Sequence, residues 1–455
     1  MAGLWREVKA VTRLATPIAV AHLGQILLGF VDTAVVGRRG DVELAAVGMG
    51  SAVYFAAAIT GAGVVLGIDP LISQALGAGR AARARATMAQ GVWLGLLLAV
   101  PLALVALLGG AALEAMGIDP ETAGATRAYL YARIGALVPY LVITALVTYL
   151  QARGGTRPLV VSALVANVVN VPLDIALVFG DEAFVGLGLP AVGVPALGVV
   201  GAGVTSTCVT VVQLGILIRA VWTLDGPRAG GAIRPNPGAL GQALRVGLPV
   251  GLQRLAEVMV FSATALLAGR IGPLAAASHQ VAISLASATF MVPLGISSAA
   301  AVRVGLAVGA GDGLRTRAAG QASLLIAGAF MALGALSFVV VPRPLIAILT
   351  DDPDVAAATV PLMYVAALFQ VSDGLQVVAG GALRGLGDTR AALYYNLVGH
   401  YGFGMPIGLG LGFGLGWGVR GLWWGFVAGL TAVAVALSVR FVRRARRPET
   451  FLMPA

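Results

Sequence analysis

Twelve apolar runs, each long enough to cross a bilayer, take up most of the chain. A membrane-spanning helix needs about 20 predominantly apolar residues. The runs cover residues 14–36, 44–68, 87–111, 128–150, 158–180, 191–220, 243–268, 275–300, 319–341, 357–383, 391–414 and 418–440. Over the 455 residues, 58% are hydrophobic and 11% charged, and the mean hydropathy is +0.92. A soluble domain carries about 25% charged residues. A soluble enzyme, a disordered chain and a nucleic-acid binder are therefore excluded. Strands of an outer-membrane barrel alternate polar and apolar residues over roughly ten positions, and these runs are longer and unbroken. Many contain Gly or Pro, which membrane helices tolerate when neighbours satisfy the freed backbone groups. The fold expected is an all-α polytopic membrane protein with twelve transmembrane helices.

The net charge of +10 is carried almost wholly by arginine, because Lys9 is the only lysine among 30 basic residues. The arginines crowd alternate gaps between the runs. One set holds Arg80, Arg83 and Arg85; Arg153 and Arg157; Arg219, Arg228, Arg234 and Arg245; Arg303, Arg315 and Arg317; Arg384 and Arg390. The tail adds Arg440, Arg443, Arg444, Arg446 and Arg447. The other gaps hold Asp41 and Glu43, Glu114, Asp119 and Glu121, Asp181 and Glu182, and Asp351, Asp352 and Asp354, together with a few arginines such as Arg38, Arg39, Arg270 and Arg420. Loop arginines mark the cytoplasmic side, so both termini are expected there and the chain in the inner membrane as a multi-pass protein. The first run holds Asp32 and lacks a small-residue cleavage site, so it reads as an uncleaved span. A single cysteine, Cys208, allows no internal disulfide, and no Cys–His metal spacing occurs.

The two halves repeat at an offset of 232. Arg13 and Pro17 match Arg245 and Pro249, and Gly37, Arg38 and Gly40 match Gly269, Arg270 and Gly272. Gly77-Ala78-Gly79 matches Gly309-Ala310-Gly311, and Arg83 and Arg85 match Arg315 and Arg317. With small gaps, Ala152-Arg153-Gly154 echoes Leu383-Arg384-Gly385, and Thr156-Arg157 echoes Thr389-Arg390. Six spans per half is an even number, so the repeats are parallel, related by an axis along the membrane normal. The expected organisation is an N-terminal six-helix lobe at 1–217, a cytoplasmic linker at 218–242 and a C-terminal six-helix lobe at 243–455. Two such bundles suit alternating-access transport.

Five carboxylates lie inside these runs or at their edges: Asp32, Asp69, Asp174, Glu257 and Asp373. A charge at the bilayer centre costs about 2.5–3.5 kcal/mol on insertion scales, and such residues are functional by default. They break the repeat, since Asp32 falls opposite Thr264 and Glu257 opposite Gln25. Asp32 reads as a proton or Na+ site, or as an acid neutralised by Arg38 or Arg39. Asn170 and Asp174 share one helix face at i, i+4. With hydroxyls such as Thr205 and Ser206 they supply hard oxygen ligands, so Na+ could sit at Asp32, Asn170, Asp174 and Ser206; an interhelical polar clamp is the alternative. Glu257 has Arg254 at i−3, which leaves a local ion pair open. Asp373 sits in the polar stretch Gln370-Val371-Ser372-Asp373-Gly374-Leu375-Gln376. Asp69, before Pro70, reads equally as an interface or capping residue. His279 with Gln280 opens the eighth run and reads as structural. No phosphate-cradling Gly-rich loop with lysine is present, so the chain does not hydrolyse ATP itself.

Together these features resemble the multidrug and toxic compound extrusion (MATE) family of secondary transporters over about residues 10–445. The resemblance rests on Pro17 through Asp32 to Gly37, Gln74 to Gly79, Gln151-Ala152-Arg153-Gly154, Asn170 to Asp174, Gly198 to Ala202, Pro249 with Glu257, Ala276 to Val281, and Gln370 through Gln376 to Leu383-Arg384-Gly385. It implies a monomeric antiporter that exports organic cations, drugs or metabolites in exchange for Na+ or H+, with no other cofactor. By position, Asp32, Glu257 and Asp373 match the acids of the NorM-like branch. That branch often has tyrosine four residues before the last acid, where this chain has Phe369. Asp174 with Asn170 looks more like the DinF-like branch. The candidate substrate-cavity residues are Gln25, Gln280, Phe369, Gln370 and Gln376. A flippase for lipid-linked precursors is the alternative within the superfamily, and predicts a more cationic cavity. A membrane enzyme needs a cluster of His and Asp at one interface, against which stand three scattered histidines. A channel suits asymmetric buried acids less well than coupled exchange does.

Overall fold

The structure is a computed structural model that describes residues 2–446 apart from 187, 189, 192 and 227–233. Pro227, Arg228 and Arg447 therefore lie outside the described residues. Among the described residues every regular element is a helix. In chain order they are α1 (Ala2–Val36), α2 (Asp41–Val65), α3 (Ile68–Gly77), α4 (Ala81–Ala111), α5 (Pro120–Arg133), α6 (Leu137–Ala152), α7 (Arg157–Phe179) and α8 (Asp181–Gly186). They continue with α9 (Val199–Asp225), α10 (Pro237–Ile271), α11 (Pro273–Gly309), α12 (Gly313–Val340), α13 (Pro342–Ile346), α14 (Pro353–Leu386), α15 (Thr389–Leu397), α16 (Met405–Leu409) and α17 (Gly418–Ala445).

Among the described residues, eleven helical stretches are long and apolar enough to cross a membrane. The chain is thus a multi-pass helical membrane protein. Several stretches run beyond the apolar residues: the first begins at Gly3 rather than near residue 14, and α2 with α3 forms one stretch, Asp41–Gly77. Helices extend past the hydrocarbon because helical backbone satisfies its own hydrogen bonds in water or lipid alike.

The run at 391–414 is helical but composite. Helix α15 passes into a π-helical turn at Val398–Gly404, then α16, then a second π turn at Gly410–Gly414. Glycines explain the path. A side chain at Gly404 would meet the carbonyl oxygen of Gly425 at 3.0 Å, and one at Gly425 would meet the Gly408 Cα at 2.8 Å. Small residues let two helical backbones approach this closely. The π turn also holds one inserted residue, as π-bulges do. Thr156 and Thr389 are 233 apart, whereas Pro172 and Pro406 are 234 apart. After the insertion, Gly404 and Gly408 stand where the first repeat has Asn170 and Asp174.

The contacts divide into two compact units. One takes in Met1–Ala19, Asp69–Ala84 and Leu248–Ala455; the other takes in Val20–Ile68 and Arg85–Gly247. The first, the C-terminal unit, is built on two apolar clusters, one including Val304, Leu383, Leu437 and Phe441, the other Phe338, Phe369, Trp423 and Phe426. Ion pairs tie its helix ends together. Glu7 takes a two-pronged contact from Arg303 and a further bond from Arg315. Asp69 accepts from Arg384 at 3.0 Å, and Asp388 from Arg440 and Arg444. In the N-terminal unit the clusters gather around Leu137 and Leu141, and around Val47, Tyr129 and Val178.

Candidate functional site

The N-terminal unit assembles a polar group inside apolar helices. Three glycine contacts make it possible. A side chain at Gly201 would clash with the Leu177 carbonyl oxygen of α7, and one at Gly203 would meet the Tyr129 carbonyl oxygen of α5 at 2.9 Å. One at Gly50 would strike the Tyr129 ring at 2.5 Å. With no side chains there, α9 seats against α7 and α5, and the Tyr129 ring lies on α2. Ser206, one turn beyond Gly201–Gly203 on α9, then reaches α1.

Asp32 of α1 is almost wholly buried. Its Oδ1 accepts from Asn170 Nδ2 at 2.9 Å. Its Oδ2 accepts from Ser206 Oγ at 2.8 Å and from Arg133 Nη1 at 3.4 Å. Arg133 also donates to Ser206 Oγ at 3.1 Å and to Tyr129 Oη. Its guanidinium lies 4.8 Å from the Tyr54 ring centroid, a cation–π distance. Tyr129 Oη is further bonded to Ser51 Oγ at 2.9 Å.

Asp174 is 0% exposed, and neither carboxyl oxygen has a hydrogen-bond partner. It lies within electrostatic range of Asp32 and Arg133, with the Thr205 hydroxyl beside it. The Thr205 hydroxyl is committed to the Gly201 carbonyl oxygen at 3.0 Å, so it brings no donor to the carboxyl. Asn170 Oδ1 is likewise unpartnered. Pro172 falls between Asn170 and Asp174 within the continuous α7, and its missing N–H leaves the Val168 carbonyl without its helical partner. An ionised carboxylate without donors is expensive in a dry interior, so the α7 oxygens suit a bound proton or hard cation.

A second acidic group lies in the C-terminal unit. Glu257 of α10 accepts from Gln253 Nε2 at 3.2 Å and from Asn396 Nδ2 at 2.5 Å. Arg254 lies within its electrostatic range. Asp373 of α14 is buried, faces Gln376 Nε2 at 3.5 Å and lies within electrostatic range of Glu257. Gln370 is fully buried and donates to Thr289 Oγ1 at 2.7 Å. Phe369 is 1% exposed, with Trp423 at 5.7 Å and Phe426 at 6.1 Å between ring centroids. Gln25 and Gln280 are exposed, and Gln280 Nε2 reaches Ser284 Oγ at 3.4 Å. His279 accepts from Trp423 Nε1 at 3.1 Å. Among the described residues no group of three or more His, Cys, Asp or Glu could hold a metal ion.

The sequence profile of the MatE family matches residues 17–176 and 249–409, twice along the chain and 232 residues apart at the start. The chain belongs to the MatE family. A relative from Xanthomonas axonopodis pv. citri, the "Probable multidrug resistance protein NorM", is 34% identical over 99% of this chain and 97% of its own length. The "Multidrug resistance protein NorM" of Burkholderia vietnamiensis is 36% identical over 96% and 94%. A solved MATE transporter from Vibrio cholerae, VcmN, has a TM-score of 0.86 at 18% identity, with 100% of both chains covered. The eukaryotic MATE transporter AtDTX14 has a TM-score of 0.85 at 23% identity, covering 99% of this chain and 100% of its own. At those identities the two structures show the shared fold alone.

Arg133, Tyr129 and Asn396 of this MatE chain were not among the residues singled out from the sequence, yet each is bonded to one of its buried acids or to that acid's partner. Arg133 is the only charged residue between 128 and 150, which was signal enough. The alternative that Arg38 or Arg39 neutralises Asp32 does not hold for Arg39. Its Nη1 donates to the Val178 carbonyl oxygen at 3.2 Å, and its guanidinium lies 5.8 Å from the Phe179 ring centroid. The pairing cation is Arg133.

Proposed function

We propose that this MatE protein is a secondary antiporter that exports organic cations, drugs or metabolites, and that the Asp32–Asn170–Asp174 group takes up the coupling cation. The observation that carries this is Asp174, a fully buried carboxyl with no donor, beside an Asp32 already paired with Arg133. Charge arithmetic gives the group two states. With Asp174 neutralised, Asp32, Asp174 and Arg133 sum to zero; with Asp174 ionised they sum to −1. The first state releases an organic cation and the second attracts one. A coupling cation and a substrate that favour different states of one site are linked reciprocally. Alternating access then turns exclusive occupancy into exchange.

The kinship supports the substrate class, since the relatives carry the description multidrug resistance protein. The arginine-rich gaps support an inner-membrane location with both termini in the cytoplasm. Both repeats reside in one chain, so one copy suffices and the protein acts as a monomer. The coupling ion is Na+ or H+, and no other cofactor is needed.

Dye uptake into energised inverted vesicles, which corresponds to export from the cell, driven in turn by a pH or a Na+ gradient, tests the reading. Wild-type protein accumulates dye under one of them. Asp174→Asn, folded and inserted normally, does not. Undiminished coupled efflux in Asp174→Asn removes the site from the mechanism.

A further inference from the structure

We infer that Arg133 is a tethered cation that excludes Na+ from the Asp32–Asp174 site and makes it selective for protons. The inference rests on the antiport reading above and deepens it by naming the ion and the residue that selects it.

The donors around Asp32 come first. Asn170 Nδ2 and Ser206 Oγ direct hydrogens at the carboxylate, and Arg133 Nη1, whose two hydrogens are shared among Asp32, Ser206 and Tyr129, lies 3.4 Å from it. A hard metal cation needs oxygen lone pairs turned towards it. Three of the carboxylate's roughly four lone-pair sites are already met by N–H and O–H groups, one of them on a full positive charge. Na+ seated on Asp32 would have to share the carboxylate with the guanidinium or displace it, and Arg133 is not free to leave. Tyr129 Oη and Ser206 Oγ both accept from it, the Tyr54 ring lies against it, and Ser51 holds Tyr129 in turn.

The acceptors come second. The oxygens left without partners belong to α7: both of Asp174 and Oδ1 of Asn170. The charged groups within electrostatic range of Asp174 are Asp32 of α1 and Arg133 of α5; Tyr129 of α5 and Tyr54 of α2 lie against Arg133, and α9 brings the hydroxyls of Thr205 and Ser206. A sodium ion there would sit beside a guanidinium that already lies within electrostatic range of Asp174, in a medium that screens poorly. A proton avoids that repulsion. It bonds covalently to one Asp174 oxygen, turns an unpartnered acceptor into a donor for Asn170 Oδ1 or Asp32, and leaves no separate ion against Arg133. With Arg133 in place the site changes from −1 to zero on binding H+. Without it the same site would hold −1 or −2 and draw a metal cation.

Purified protein in proteoliposomes, with either a pH or a Na+ gradient imposed alone, reads the selectivity directly. Wild-type efflux of an organic cation runs at least about tenfold faster under the pH gradient, a discrimination worth about 1.4 kcal/mol. Arg133→Gln brings the two rates to within about threefold and makes the protein's thermal stability rise with NaCl but not with KCl. Arg133→Lys keeps the charge and the proton preference. Tyr129→Phe, which removes one anchor of Arg133 and leaves the ring, raises Na+-driven efflux in part and decides the matter if Arg133→Gln does not fold. Na+-driven efflux in the wild type equal to proton-driven efflux overturns the inference. So does a folded Arg133→Gln or Tyr129→Phe variant that gains no response to Na+. Asp174→Asn separates the two claims. If it is inactive under both gradients, the antiport site stands whatever Arg133 does; if it is fully active, the site itself falls.

Discussion

Replacing Asp69 separates a structural acid from a coupling one. Asp69 Oδ2 accepts from Arg384 Nε at 3.0 Å, and the two side chains are 5% and 9% exposed. Asp69→Leu leaves a guanidinium buried without its carboxylate. Breaking one side of a buried pair costs about 3–5 kcal/mol, whereas exchanging both partners for apolar residues is often neutral or stabilising. The pair is also incomplete, because Asp69 Oδ1 has no partner. The double variant Asp69→Leu/Arg384→Met should therefore recover most of the loss. In a thermal melt of detergent-solubilised protein, the single variant falls by on the order of 10 °C and the double variant returns close to wild type. Transport persists in the double variant, since Asp69 lies in the C-terminal unit's ion-pair set and takes no part in the Asp32–Asp174 group. A single variant as stable as wild type refutes the reasoning about burial. A stable double variant without transport refutes the structural role.

Gly203→Ala places a methyl 2.7 Å from Ala132 Cβ and 2.9 Å from the Tyr129 carbonyl oxygen. Overpacking of this kind costs about 1–3 kcal/mol, so melting temperature and efflux fall together; an unchanged melt rules out tight α5–α9 seating. Glu257→Gln loses coupled efflux, and Glu257→Gln/Arg254→Leu does not restore it. Restored transport in the double variant shows that Glu257 only neutralises Arg254. Asp373→Asn abolishes coupled efflux while the protein stays monodisperse in detergent, and wild-type rates in that variant take Asp373 out of the mechanism.

The membrane class was legible because a 20-residue apolar requirement is a blunt physical constraint. Helix ends were not, since α1 starts at Ala2 and α10 at Pro237, where polar residues leave the helix intact. The repeat was visible at 232 through loop glycines and arginines. The π turn at Val398–Gly404 was not, because it depends on which glycines meet α17. At Gly404 and Gly408, the positions matching Asn170 and Asp174, the backbone of α17 comes too close for a long side chain, so the second half has no counterparts to them. The acids stood out one by one against apolar neighbours. Their partners were harder to see, because hydrogen bonds spanning 101 to 174 residues, such as those joining Asp32 to Arg133 and Ser206, leave no local pattern. Arg133 was within reach of the same argument about buried charge. A buried arginine among apolar residues is as costly as a buried carboxylate, and stands out in the sequence on the same ground.

Substrate affinity against pH, measured on wild type, Asp32→Asn, Asp174→Asn and the double variant, bears most directly on coupling at the Asp32–Asp174 group. In the wild type the Kd for an organic cation rises as pH falls, because a proton on Asp174 removes the −1 charge that attracts the substrate and the linkage is reciprocal. Each single variant flattens that dependence. The double variant is no worse than either single one, as expected for residues acting as one unit. Strictly additive losses, or an unaltered pH response in both single variants, contradict a shared coupling site.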